Sequence, residues 1–293
     1  MNATRHHFVP QGYLRGFSIP EEGSRNFVWV YDKRSGRTPR KKAVRSIAWA
    51  PAYYAQERED GSTDFDTLEN LLGRTIDNEA PEIIRKISAE IGCITKLSEE
   101  ERATLAFFVG LSLTRVPSFR DGINDFHTKV AGHAFRLVAP QVPYKPEALN
   151  LDDVVVTAKS WVSLQPMIGV AQNVADSALT KTWQFFVPPD GVALVTSDNP
   201  VVFSGASIGV NKIGPAHPGA ELLMNLRSDL ALVCTPKRGY PNKNTFRLSA
   251  SEARKFNRGV VRAARYRVFA NHLSPKLEGF VKKYSGEEQR VVM

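Results

Sequence analysis

Along the chain, apolar residues first alternate with polar ones, then recur at helical spacing, then alternate again. The run NFVWVYD at 26–32 is aromatic and β-branched, which predicts a strand. KRSGR supplies a turn before a second extended piece that ends near Val44, so the two form a hairpin with a basic tip. From Asp66 the period changes. Leu68, Leu72, Ile76, Ile83 and Ile87 return every three, four or seven residues and predict an amphipathic helix, which Pro81 is placed to kink or restart.

Ser98 with Glu101 three residues on is a capping-box signature in front of a segment that is apolar on nearly all sides and ends near Arg115. That predicts a central, buried helix. Helical spacing resumes over 120–138 and again over roughly 151–180, on either side of the proline-bearing loop VAPQVPYKPE. Strand-like runs then return. TWQFFV and VALVTS around the turn PPDG predict a second hairpin, and LALVCTP a further strand. A last helix is expected to start near Ser251, where Ser249 and Glu252 repeat the capping-box spacing, and YRVFANH reads as a closing strand.

Hairpins at both ends of a helical middle predict an α+β fold, an antiparallel sheet from the N- and C-terminal hairpins packed with a central group of helices. One large domain over 1–293 is expected. Any subdivision falls near 139–150, between a hairpin with helices (1–138) and an α+β part (151–293).

Composition sharpens this picture. With 42% hydrophobic and 24% charged residues, a chain of 293 residues can bury a sizeable core. The longest apolar stretch, LAFFVGLSL at 105–113, falls far short of the roughly 20 residues that cross a bilayer, and no leader-length apolar run occupies the first twenty positions. A soluble, unexported protein without a membrane partner is expected. Cys93 and Cys234 stand far apart with no C-x-x-C neighbour, which argues against a disulfide framework and for a cytoplasmic setting. Lys and Arg outnumber Asp and Glu by 39 to 30, so the formal charge of +9 favours nucleic acid or another polyanion as partner.

Several groups are candidates for chemistry. At about 100° per residue, Leu72, Ile76, Ile83 and Ile87 fall within about 60° of Glu69, and Glu79 lies about 80° away. Both glutamates therefore flank or enter the apolar face, where a carboxylate needs a partner, either a structural arginine or a catalytic role. Arg115, in line with Phe108, Leu111 and Ser112, is placed to meet a carboxylate or an anionic substrate. In LVTSDNPVVF an apolar strand runs into Thr196, Ser197, Asp198 and Asn199; this is turn chemistry or a functional strand end, with Asp198 the first choice.

Arg254, Arg258, Arg262 and Arg265 fall within about 80° of one another on the last helix, a stripe suited to bidentate phosphate contacts or to plain solvation. Asn257 lies beside the apolar face. The first hairpin adds Lys33, Arg34, Arg37, Arg40, Lys41, Lys42 and Arg45 against Asp32, a patch that could rest on a nucleic-acid backbone or remain solvated. His6 and His7 open the chain within RHHFVPQGYLRGF and suit metal ligation, acid–base work or a structural bond. No H-x-x-x-H or H-E-x-x-H spacing occurs, so a divalent metal stays open with no ligands assigned. His127, His133, His217 and His272 read as structural.

The stretch HHFVPQGYLRGF resembles the opening signature of the domain-of-unknown-function family numbered 4238, a close variant of HHYVPQFYLR. The likeness continues in the glutamates ten apart within TLENLLGRTIDNEA, in TRVP at Arg115, in TSDNP and in an Asn of the final helix. Phe8 stands where a tyrosine is usual and Gly12 where an aromatic is usual. The resemblance implies matching positions at His6, His7, Gln11, Tyr13, Arg15, Glu69, Glu79, Arg115, Asp198 and Asn257, and it lends no established activity.

Taken together, these features lead to the expectation of a phosphodiester hydrolase, with a nuclease as first choice. His6, His7, Glu69, Glu79, Arg115 and Asp198 are its expected catalytic groups. Gln11, Tyr13, Arg15, Asn199, Asn257 and the four stripe arginines are expected to bind substrate. Two alternatives stand beside it: a non-catalytic nucleic-acid- or protein-binding module built on a buried His/Glu/Arg network, and an enzyme acting on a small nucleotide-like anion.

Overall fold

The chain opens with β1 (Arg5–His7), one turn of helix α1 (Gln11–Leu14) and β2 (Ile19–Pro20). The first alternating run then forms the expected hairpin, β3 (Asn26–Asp32) with β4 (Arg40–Ala43), paired from Phe27↔Ala43 to Val30↔Arg40. β5 (Trp49–Pro51) turns back onto β1, and β6 (Gln56–Glu57) with β7 (Thr63–Asp64) makes a small ribbon. The computed structural model describes residues 5–20, 26–89, 91–92, 94–141, 153–206, 209, 213–239 and 243–289. Cys93 and most of the expected boundary loop lie outside them.

Four helices follow: α2 (Thr67–Ala89), α3 (Glu99–Thr114), α4 (Pro117–Val138) and α5 (Leu164–Leu179). α2 runs unbroken through Pro81. α3 starts where the capping box places it, with the Ser98 side chain accepting from the Glu101 amide at 3.1 Å and Glu101 reaching back to the Ser98 amide at 2.9 Å. It is buried from Leu105 on, apart from half-buried Phe107, as a helix apolar on all sides must be. Gly110 lets it press against α5 at Ala171. No helix among the described residues is long and apolar enough to cross a membrane.

The C-terminal part contributes β8 (Thr182–Val187), β9 (Thr196–Ser197), β10 (Val201–Ser204), β11 (Glu221–Arg227), β12 (Leu230–Thr235), β13 (Thr245–Arg247), α6 (Ala250–Ala263), β14 (Arg267–Ala270) and α7 (Pro275–Lys283). One five-stranded sheet has the order β10-β11-β12-β8-β13. It is antiparallel except for its last pair, β8 with β13. The second has the order β2-β3-β14-β9, with β4 also on β3, so the N-terminal hairpin and the closing strand share one sheet. The fold is α+β. Buried apolar residues from Val9 through Phe108 and Ala171 to Phe269 form one continuous cluster, to which both sides of the 139–150 loop contribute.

The second expected hairpin does not form. β8 pairs with β12 and β13, and Thr196–Ser197 pairs with β14 of the other sheet. Side-chain amides take the place of a partner strand. Asn257 Oδ1 accepts from the Val195 amide at 3.0 Å, its Nδ2 donates to the Ala193 carbonyl at 2.9 Å, and Asn225 Nδ2 donates to the Val195 carbonyl at 2.8 Å. With these groups satisfied, the segment needs no strand beside it.

Candidate active site

Pairing of β1 with β5 sets Arg5 opposite Pro51, His6 opposite Ala50 and His7 opposite Trp49. Alternation along the strand sends the two histidines to opposite faces. His6 is fully buried and accepts the Tyr54 amide on Nδ1 at 2.9 Å, so its proton sits on Nε2; its ring stacks on Tyr54. Burial lowers its pKa while Asp66 pulls the other way. His6 thus fastens a segment in which Ala48 and Ala52 take φ values of 52° and 51°, a conformation that non-glycine residues rarely hold unless their surroundings fix it.

His7 is half-buried. Its Nε2 is enclosed without a hydrogen-bond partner among the described residues, while the ring bonds the Arg45 backbone. That bond favours the ring N–H, and burial lowers the pKa overall, despite the pull of Asp77. A neutral imidazole that donates through one nitrogen and presents the other as a lone pair has the form a general base requires.

Arg115 lies at the C-terminal end of α3, 1% exposed, with Nη1 bonded to Asp77 Oδ1 at 2.8 Å. Its guanidinium lies 5.8 Å from the Phe108 ring centroid. Nε and Nη2 are buried and have no hydrogen-bond partner among the described residues. The partner carboxylate is therefore Asp77, not Glu79, which is exposed. The buried row of α2 is Leu68, Leu72, Ile76, Ala80 and Ile84, an i, i+4 series that advances about 40° per step. Asp77 and Glu79 lie on opposite flanks of this row, each about 60° from one of Ile76 and Ala80 and about 100° from the other, so the position of Arg115 and not the helical phase decides which is paired.

Glu69 is half-buried near the start of α2. Burial, helped by Asp77 and opposed by Arg115, pushes its carboxyl up to about 7. Asp77, Glu69 and Arg115 also act electrostatically on Tyr54, and Asp77 on His7, so these five groups share one neighbourhood. Because Glu69 is raised from an ordinary 4.5, folding binds a proton between these values and stability falls as pH rises from 4.5 to 7. Glu69→Gln removes that loss. In urea melts it is expected to match the parent at pH 4 and to exceed it by about 1–2 kcal/mol at pH 8, allowing for solvent screening. Equal effects at the two pH values would show that Glu69 titrates normally.

Tyr13, Asp198 and Asn199 are buried and bonded elsewhere. Tyr13 OH donates to the Asn225 carbonyl at 2.5 Å and meets Thr196 Oγ1 at 2.8 Å. The register shift of β11 between Asn225 and Arg227 occurs where α1 docks. Asp198, 2% exposed, accepts the amides of Arg265, Tyr266 and Arg267 at 3.0, 2.8 and 3.1 Å. Asn199 Nδ2 holds the carbonyls of Ala263 and Gln289, both at 3.1 Å. Asp198, Asn199 and Asn257 thus spend their side chains on the backbone.

Two basic expectations change as well. Lys33 is 2% exposed and caps the end of α6, donating to the Val261 and Ala264 carbonyls at 2.7 and 2.6 Å and to that of Glu287. The arginine stripe faces α7 and residues 284–288. Arg258 lies over Phe280, Arg262 lies over Tyr284 and pairs with Glu287 at 2.6 Å, and Arg265 pairs with Asp121 at 2.8 Å. Arg254, Arg258 and Arg262 stay exposed, while Arg265 is half-buried and held by Asp121 of α4.

Gln11 is half-buried and Arg15 exposed in and just after α1. A cavity of about 470 Å³ opens there, lined by Gly12, Tyr13, Arg15, Asp77, Arg85 and Arg227. Gly12 explains a departure from the family pattern: a Cβ would lie 2.8 Å from Pro81 Cγ and 3.1 Å from the Asp77 carbonyl, so no aromatic fits. Among the described residues no three His, Cys, Asp or Glu side chains are placed to hold a metal ion.

Residues 5–274 match the family described as protein of unknown function (DUF4238). No curated protein and no solved structure matches the chain.

Proposed function

We propose that this chain, which belongs to the DUF4238 family, hydrolyses phosphodiesters, with a nucleic acid as substrate and a nuclease as the specific form. The observation that carries the proposal is Arg115: a permanently charged guanidinium, enclosed, with one nitrogen on Asp77 and two nitrogens unpartnered among the described residues. Such donors suit phosphoryl oxygens. His7 Nε2 takes a proton from water as its oxygen bonds to phosphorus. Glu69, protonated up to about pH 7, gives its proton to the departing oxygen as that P–O bond breaks. The first hairpin supplies the basic face, with Arg37, Arg40, Lys42 and Arg45 exposed.

A second reading is a binding module whose buried network only fixes the terminus. The complete enclosure of Arg115 favours it, as do the landmark side chains spent on backbone groups. A small nucleotide-like substrate in the cavity beside Asp77 is the third.

Incubation with labelled single-stranded RNA and DNA, with and without divalent cation, separates these readings. Glu69→Gln and His7→Ala are each expected to retain the fold and to lower the cleavage rate on the order of 100-fold, a usual scale for lost acid–base catalysis. The parent rate should show an inflection near pH 7 that Glu69→Gln removes. Cleavage indifferent to both substitutions sinks the assignment, and binding without cleavage supports the module.

A further inference from the structure

We infer that a second cavity, between the first hairpin and the start of β14, is the seat of an unpaired nucleobase, so that the strand recognised is single-stranded. The inference rests on the phosphodiester reading for its substrate class. The cavity is about 350 Å³, at the small end of ligand pockets. Phe8, Trp49 and Tyr266 line it, together with Arg34 and Arg267. The Arg5 guanidinium lies 4.5 Å from the Trp49 ring centroid and that of Arg34 lies 4.2 Å from the Tyr266 centroid.

Aromatic rings backed by arginines are the surfaces on which bases stack, because every base offers a π face whatever its sequence. Two carboxylates also line the cavity, but both are occupied. Asp198 accepts three amides, and Asp32 Oδ1 accepts the Arg34 and Ser35 amides at 3.0 and 2.7 Å. The cations of the lining are Arg34, which lies 4.0 Å from Glu288, and exposed Arg267. The same hairpin carries Arg37, Arg40 and Lys42 outward, a path for the phosphates on either side of the seated base.

Position ties this cavity to the candidate catalytic groups. Trp49 is the register partner of His7, and Phe8 follows His7 in the chain. Residues directly opposite in an antiparallel pair project to the same side, so the aromatic wall begins across the ladder from the proposed base. A duplex cannot offer a base to such a seat without opening, whereas a single strand can.

The test is fluorescence anisotropy with a labelled ten-nucleotide single strand, in the His7→Ala background so that cleavage does not erode the probe. Trp49→Ala and Arg267→Glu are each expected to weaken binding roughly tenfold or more, the scale of one lost stacking or phosphate contact. Arg247→Ala, exposed on β13 of the other sheet, is expected to leave it unchanged. Arg267 is exposed at the edge of β14, so its variant reports on binding even if Trp49→Ala unfolds. Equal affinity for Arg267→Glu and the parent, equal affinity for a duplex of the same length, or no binding at all overturns the inference. Binding that follows this pattern in a protein that never cleaves would leave the cavity standing and remove the hydrolase.

Discussion

Asp77→Ala is expected to lower the unfolding free energy by about 3–5 kcal/mol, and adding Arg115→Met to recover most of that loss. The reason is asymmetry. Arg115 has no exposed side-chain surface and its only described ion-pair partner is Asp77, at 2.8 Å. Removing the carboxylate alone leaves a guanidinium that cannot shed its proton enclosed beside Phe108, and a buried unpaired cation is among the costliest states a core can hold. Replacing the arginine too restores an apolar interior of similar volume. Urea melts of the two single variants and the double variant measure the coupling directly. A double variant no more stable than Asp77→Ala would mean that the pair is not the electrostatic unit described. Activity adds a second axis: if Arg115 holds phosphoryl oxygens, the double variant folds and is inert.

Gly110→Ala is expected to cost about 3 kcal/mol or more, the upper range for overpacking, because no side chain can move to make room. A Cβ there would overlap the Ala171 carbonyl oxygen and lie 2.9 Å from its carbon and 3.1 Å from its Cα. The obstacle is backbone in the middle of a buried helix, so α3 and α5 must separate. Ala171→Gly is not expected to rescue it, since the methyl group is not what collides. Gly132, in α4, has nothing within 4 Å of an added Cβ, and Gly132→Ala is expected to stabilise by about 0.5–1 kcal/mol through helix propensity alone. Thermal melts of the two variants read both signs. Similar small effects at both positions would mean that the two helices are not packed as tightly as described.

Local signals carried much of the fold. Both capping boxes formed as spaced, β3 and β4 paired across the basic turn, and α3 is buried from Leu105 on, where it is apolar on nearly all sides. The failures are non-local. TWQFFV and VALVTS carry every mark of a hairpin, yet Asn225 and Asn257, from distant elements, bond the backbone of the second run in place of a partner strand. Lys33 reads as one more solvated cation in a basic run, and only the position of the end of α6 shows otherwise. Asp77 and Glu79 flank the same buried row of α2 from opposite sides, and only the tertiary position of Arg115 shows which of them is paired. The approach of Trp49 to His7 comes from pairing β1 with β5, which no periodicity encodes.

The end of α6 has a consequence for where this protein can be divided. Sequence likeness to the family stops at residue 274, but Lys33 and Asn199 complete their hydrogen bonds on the carbonyls of Glu287 and Gln289. Gln289 also accepts from the Phe203 amide at 3.2 Å and donates to the Val201 carbonyl at 3.2 Å. A protein trimmed to the span of family likeness would keep every landmark of the family and lose part of the lining of its own interior. The unit that folds is longer than the span that matches the family and extends at least to Gln289.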